Sequence, residues 1–97
     1  MICGFQEAAE AEHLEQVAYY ERQRVGLGAR YLAEVEGALR VICLAPHRFP
    51  IERAPDIRRF RLKRFPHTIL FRESAGIVQV LAVAHHRRRP GYWVTRI

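Results

Sequence analysis

Residues 59–84 read RFRLKRFPHTILFRESAGIVQVLAVA, and the period of this stretch decides the fold. Arg59-Phe60-Arg61-Leu62-Lys63 alternates basic and apolar, the two-residue repeat of a strand with one buried face. Phe60 and Leu62 are expected to face in, and Arg59, Arg61 and Lys63 to form an outward row. Pro66 breaks the run. Thr68–Arg72 is a second β run, and Ser74-Ala75-Gly76 has the composition of a hairpin turn. Ile77–Ala84 is apolar nearly throughout, which predicts a central strand covered on much of both faces.

Upstream the period is that of helices. Glu7 to about Arg24 predicts a first helix with Ala11, Leu14, Val17, Ala18 and Val25 on one stripe. Glu7 and Glu10 in its first turn and Arg22 and Arg24 in its last complement the helix dipole. Glu21 lies on the stripe, where a bare carboxylate is costly to bury, so an arginine partner is expected. Gly26 and Gly28 provide a stop and a tight link. A second helix runs from about Ala29 to Ala45, its stripe Tyr31, Leu32, Val35, Ala38, Leu39, Ile42 and Cys43. The short link predicts an antiparallel hairpin. Ile2–Phe5 reads as a first strand, and Pro46, Pro50 and Pro55 mark a loop that no helix crosses. The order is β-α-α-β-β-β, an α+β fold with a helical hairpin on one face of a small, mainly antiparallel sheet. The other face and the outer edge have no obvious cover, which leaves room for a partner segment.

Charge is segregated. Residues 1–45 carry 7 acids and 4 bases, a net of −3. Residues 46–97 carry 3 acids against 11 arginines and Lys63, a net of +9. Codon bias can favour Arg over Lys but does not sort charge along a chain. Such a surface attracts phosphate backbones or an acidic protein partner, and arginine's planar fork suits bidentate contacts to either.

The 97 residues are enough for one small domain, taken as 1–97, and 49% hydrophobic content reads as globular. No apolar run approaches the ~20 residues of a membrane span, so no membrane association is expected. Met1-Ile2-Cys3-Gly4-Phe5 has no basic region and no signal core, so a cytoplasmic location is expected. Cys3 and Cys43 are isolated thiols, expected to be small buried hydrophobes and not a disulfide or metal site. With no CxxC, HxxxH or Gly-rich phosphate loop, no metal and no cofactor are expected.

Three blocks of text carry a family likeness. The first is Tyr19-Tyr20-Glu21, Gly26-Leu27-Gly28, Glu34-Val35-Glu36, Ala38-Leu39 and Pro46. The second is Arg58-Arg59, Leu62-Lys63-Arg64-Phe65-Pro66 and Ile69. The third is Val80-Leu81-Ala82-Val83-Ala84-His85, Arg87-Arg88, Pro90 and Tyr92-Trp93. Together they resemble the RelE/ParE superfamily of bacterial type II toxin–antitoxin toxins, across almost the whole chain and nearer the ParE-like, plasmid-stabilisation branch. The resemblance implies a growth-inhibiting toxin that poisons DNA gyrase without being a nuclease. It also implies a hetero-oligomer with a cognate antitoxin, often one with an acidic C-terminal segment. The RelE-like branch implies a ribosome-dependent mRNA endoribonuclease instead.

For a nuclease, 2′-OH attack needs a base, an acid and cations on the phosphate. The outward row Arg59, Arg61 and Lys63 could hold phosphate, and His85 or His86 could act as base or acid. Tyr92 lies where RelE-like enzymes often carry a functional tyrosine. The strand lysines of that branch are Arg59 and Arg61 here, and arginine is a poor base. His85 has a competing structural role at the strand end, and His13, His47 and His67 read as structural or surface residues. Tyr19 and Tyr20 read either as hairpin packing or as a gyrase contact. Pro90 ends ladder pairing and Gly91 permits a redirection, so Tyr92 and Trp93 should fold back and fix Arg87, Arg88 and Arg89 as a cationic knuckle near Arg59 and Arg61. The binding set is therefore Arg59, Arg61, Lys63, Arg87, Arg88, Arg89, Tyr92, Trp93, Tyr19 and Tyr20, for an antitoxin or a target. A non-toxic nucleic-acid-binding module would use the same arginine run with Tyr92 and Trp93 as stacking platforms.

Overall fold

The computed structural model describes residues 2–97. Strand β1 (Ile2–Phe5) is followed by helices α1 (Glu7–Gln23) and α2 (Leu27–Leu44), then strands β2 (Ile51–Arg53), β3 (Ile57–Arg61), β4 (His67–Ser74) and β5 (Ile77–His85). The sheet order is β1-β5-β4-β3-β2, antiparallel except where β1 runs parallel to β5. The α+β architecture is the expected one, with one more strand. Between Pro46 and Pro55 lie a single 3-10 turn and the three-residue edge strand β2, where only a loop was expected.

The central-strand reading of Ile77–Ala84 holds. Val78, Val80 and Val83 pack toward the helices with Ile69 and Phe71. Leu81 and Ala82 pack on the opposite face with Ile57 and Leu70. A register shift between Leu70 and Phe71 lets β5 serve both faces. Each large side chain buried this way contributes about 1.5–3 kcal/mol. The α2 stripe is also as expected, with Tyr31, Val35, Ala38 and Ile42 buried.

Helix α1 is rotated relative to its expected stripe. It buries Ala9 and His13 and half-buries Val17 and Tyr20, while Ala11, Leu14 and Ala18 face solvent; Val25 lies beyond its end, in the turn, and is exposed. The inner face is aromatic and polar: His13 stacks on Phe5, and Tyr20 packs against Tyr31, Phe65 and His67. Burying so little aliphatic surface, α1 depends on polar bonds to hold its place. The Tyr20 hydroxyl meets His67 Nε2 at 3.1 Å. Among the described residues Glu21 pairs with no arginine; its carboxylate accepts from the Gly26 and Gly28 backbone N–H groups at 2.8 and 3.0 Å, capping α2 at its positive end. Two glycines make this possible. Gly26 has φ of +88°, and a Cβ at Gly28 would lie 2.5 Å from the Val17 carbonyl oxygen.

The cysteines are a correction. Cys3 and Cys43 form a disulfide, their Cα atoms 6.3 Å apart. Parallel placement of β1 beside β5 sets the inward Cys3 under the last turn of α2, a proximity that 40 residues of separation conceal.

Candidate functional site: a cationic basin closed by the C-terminal tail

The chain itself covers part of the sheet's outer face, which was expected to stand open. Beyond β5, turns at Arg88 and Tyr92 and a positive φ at Gly91 reverse the backbone. Trp93 then lies on Ile57, Leu70, Leu81 and Ala82, 5% exposed. The fold-back of Tyr92 and Trp93 is as expected; its fastening was not foreseen. Glu12 of α1 is the clasp. Its carboxylate meets Arg96 at 2.6 and 2.8 Å, accepts from the Tyr92 hydroxyl at 3.3 Å and lies 3.7 Å from Arg88. Burial pushes the Glu12 carboxyl up, but the hydrogen bond and charge of Arg96, with help from Arg88 and Tyr92, hold it below the usual range. β1 pairs with β5 only as far as Val80, and Arg96 bonds the Leu81 carbonyl just beyond. The tail thus also covers a sheet edge that β1 is too short to reach.

The tail and the ends of β3, β4 and β5 enclose a concavity of about 350 Å³. Arg59 and Arg61 enter from β3, His85 from the end of β5, and His86, Arg88, Arg89, Tyr92 and Trp93 from the tail. So eight of the candidate residues line one basin. Lys63 lies beyond the end of β3, where its backbone N–H and that of Arg64 bond Glu34 at 2.9 Å. Arg87 also lies off the basin's lining. Tyr20 is an internal packing residue. Tyr19 is exposed and lines a neighbouring groove of about 360 Å³ that shares His85, Arg88 and Tyr92 with the basin.

The charges in the basin are unequal. Arg59 is tied to the Ile51 carbonyl at 2.9 Å and to Glu52 at 3.5 Å. The Arg88 guanidinium lies 3.9 Å above the Tyr92 ring. Among the described residues no carboxylate pairs with Arg61 or Arg89. The two histidines differ as well. His85 Nδ1 accepts from the Arg87 backbone N–H at 3.0 Å, so its neutral proton sits on Nε2. Burial, then the charges of Arg87 and His86, hold its pKa below the ordinary value. His86 Nε2 meets the Thr68 hydroxyl at 3.0 Å. Thr68, Glu12 and Arg96 had no sequence signal as site residues. His67 is a buried core residue and not part of the basin's lining; burial lowers its pKa to about 4, with the nearby His85 adding to the effect. His47 bonds Glu73 at 2.9 Å on the other side of the sheet.

The profile of the family described as the ParE toxin of type II toxin–antitoxin systems, parDE, matches residues 5–90. The chain belongs to the ParE toxin family. It is therefore a type II toxin, and its family implies an antitoxin partner. No curated protein matches the sequence as a close relative. The family match covers the basin's strand residues and the arginine run, and stops before Tyr92, Trp93 and Arg96. The part of the tail that Glu12 grips thus lies outside the matched span. Among the described residues no helix of this toxin is long and apolar enough to cross a membrane, and no cluster of His, Cys, Asp or Glu is arranged to hold a metal.

Proposed function

We propose that this toxin acts by binding DNA gyrase through the cationic basin and the groove beside it, and that a cognate antitoxin silences it by laying carboxylates into the same basin. The observation that carries this reading is the convergence of Arg59, Arg61, Arg88 and Arg89 from separate elements on one concavity in a ParE-family fold. Unpaired guanidinium groups at Arg61 and Arg89 suit carboxylates presented in pairs. Tyr19, exposed on the adjoining groove, is the candidate target contact on the helical hairpin. Expression of the toxin alone tests the target: DNA-damage signalling and filamentation should appear while bulk mRNA stays intact. Tyr19→Ala should weaken the effect without loss of folding, because Tyr19 is exposed. Tyr20 is unsuited to this test, since it packs against four aromatic or histidine rings.

A ribosome-dependent endoribonuclease is the second reading, favoured by His85 and His86 lying in the same basin as Arg59 and Arg61. Against it, both strand cations are permanently charged arginines, and His85 has its Nδ1 lone pair engaged. His85 could donate a proton from Nε2 but is a poor base through Nδ1. Rapid codon-specific mRNA cleavage on ribosomes would establish this reading over the first. A module that stacks single-stranded bases fits less well, because Trp93 is buried and one face of Tyr92 is covered by Arg88.

A further inference from the structure

The tail covers only one end of the sheet's outer face. At the other end two cross-strand rows stand open. Register puts Ile2, Ile77 and Ser74 in one row across β1, β5 and β4, and Gly4, Gln79 and Arg72 in the next. Cys3 and Val78, between the rows, pack toward the helices, so both rows point away from them. The space above is a concavity of about 590 Å³, larger than the arginine basin, with Asp56 on its wall.

Three observations mark this slot as built for a ligand. Ile77 lines the slot and is 49% exposed, and its register partner Ile2, just outside the lining, is 69% exposed; no other described residue covers either. A Cβ built at Gly4 would meet nothing within 4 Å, so the floor beside Gln79 is bare backbone under open space. Arg72 is half-buried on the middle of the sheet, yet no carboxylate among the described residues pairs with it; Asp56 faces the same concavity without reaching it.

We propose that this slot takes one glutamate or aspartate of an extended, otherwise apolar segment of the neutralising partner. Arg72 grips the carboxylate through its two-nitrogen fork, with the Gln79 carboxamide beside it. An aliphatic neighbour of that acid covers Ile2 and Ile77. A nucleic acid fits less well: it would leave both isoleucines in water and bring a line of phosphates toward Asp56. Asp56 also limits the segment to a single acid at this point. The identity of the partner rests on the antitoxin reading; the chemistry of the slot does not.

The test uses the capped tripeptides acetyl-Leu-Glu-Val-amide and acetyl-Leu-Gln-Val-amide, titrated into ¹⁵N-labelled toxin. The glutamate peptide should give saturable shifts at Gly4, Arg72 and Gln79. The glutamine peptide, or Arg72→Gln with the glutamate peptide, should bind at least about tenfold more weakly. Gly4→Val should block the slot with Arg72 still present, and both variants should melt close to wild type. No saturable shift, equal binding of the two peptides, or shifts confined to Arg59, Arg61 and His85 would overturn the proposal. Arg72→Gln should also weaken the complex with the protein encoded beside the toxin while leaving toxicity unchanged. Full-strength binding of that protein by Arg72→Gln sinks the slot and leaves the antitoxin reading standing. Peptide binding as described, with no neutralising neighbour, does the reverse.

Discussion

Removing the Glu12 carboxylate should release the tail. The magnitude follows from the contacts. Glu12 and Arg96 form a two-point pair at 2.6 and 2.8 Å, and the Arg96 side chain is only 12% exposed. Hydrogen bonds between charged groups contribute roughly 1.5–3 kcal/mol. The Tyr92 bond at 3.3 Å and the exposed Arg88 contact at 3.7 Å add little, roughly 0–1 kcal/mol. Arg96 keeps its bond to the Leu81 carbonyl, so it is not wholly orphaned. Glu12→Ala should therefore cost about 2–4 kcal/mol, a fall in Tm on the order of 10–20 °C for a chain of this size. Glu12→Gln, which keeps an acceptor, should cost about half as much. The sign with pH is fixed by the lowered Glu12 pKa: its contribution is present above the ordinary carboxylate range and is lost as pH falls through the folded value. Stability of Glu12→Gln should thus fall less steeply with acid. Trp93 is the sole tryptophan, so its fluorescence reports the tail directly. Urea melts followed by fluorescence and by circular dichroism are the assay. Wild-type melting and an unshifted Trp93 spectrum in Glu12→Ala would refute the clasp.

Three further outcomes are expected. His67 titrates near 6.5 when unfolded and at about 4 when folded, so stability should drop by about 3 kcal/mol as pH falls from 6.5 to 4, and His67→Gln should flatten that part of the curve. Gly28→Ala should destabilise by roughly 1–3 kcal/mol because its Cβ meets the Val17 carbonyl, whereas Gly4→Ala should be nearly silent; paired thermal melts decide this. Replacing Arg87 and Arg88 together by Ala should cost under about 1 kcal/mol yet reduce toxicity or antitoxin affinity, and unchanged activity in a growth assay would reduce them to solvated surface.

What the sequence disclosed follows its periodicities. β3, β4, β5 and the α2 stripe were legible because one residue class recurs at one spacing. α1 misled because its inner face uses Ala9, His13 and Tyr20, while Leu14, its largest aliphatic residue, faces solvent. Counting apolar residues chooses the wrong side of such a helix. β2 is three exposed residues between prolines and has no alternation to read. The basin's arginines and histidines were legible as residues, and the tail's return was readable from Pro90, Gly91 and Trp93. The clasp was not, because Glu12 and Arg96 are 84 residues apart and neither is unusual in its local sequence. Glu21 and Gly28 were noticed for the hairpin link, but the carboxylate's role as a cap depends on how closely the two helices approach.

The proposed use of the arginine basin against gyrase can be tested directly. Purified toxin should be incubated with gyrase and plasmid, beside a variant carrying Arg61→Ala and Arg89→Ala that melts like wild type. Wild-type toxin should poison gyrase, seen as cleaved or unsupercoiled plasmid, and the double variant should do so at least about tenfold less well. Normal gyrase activity in the presence of toxin, with mRNA cut on ribosomes by the same preparation, would contradict it.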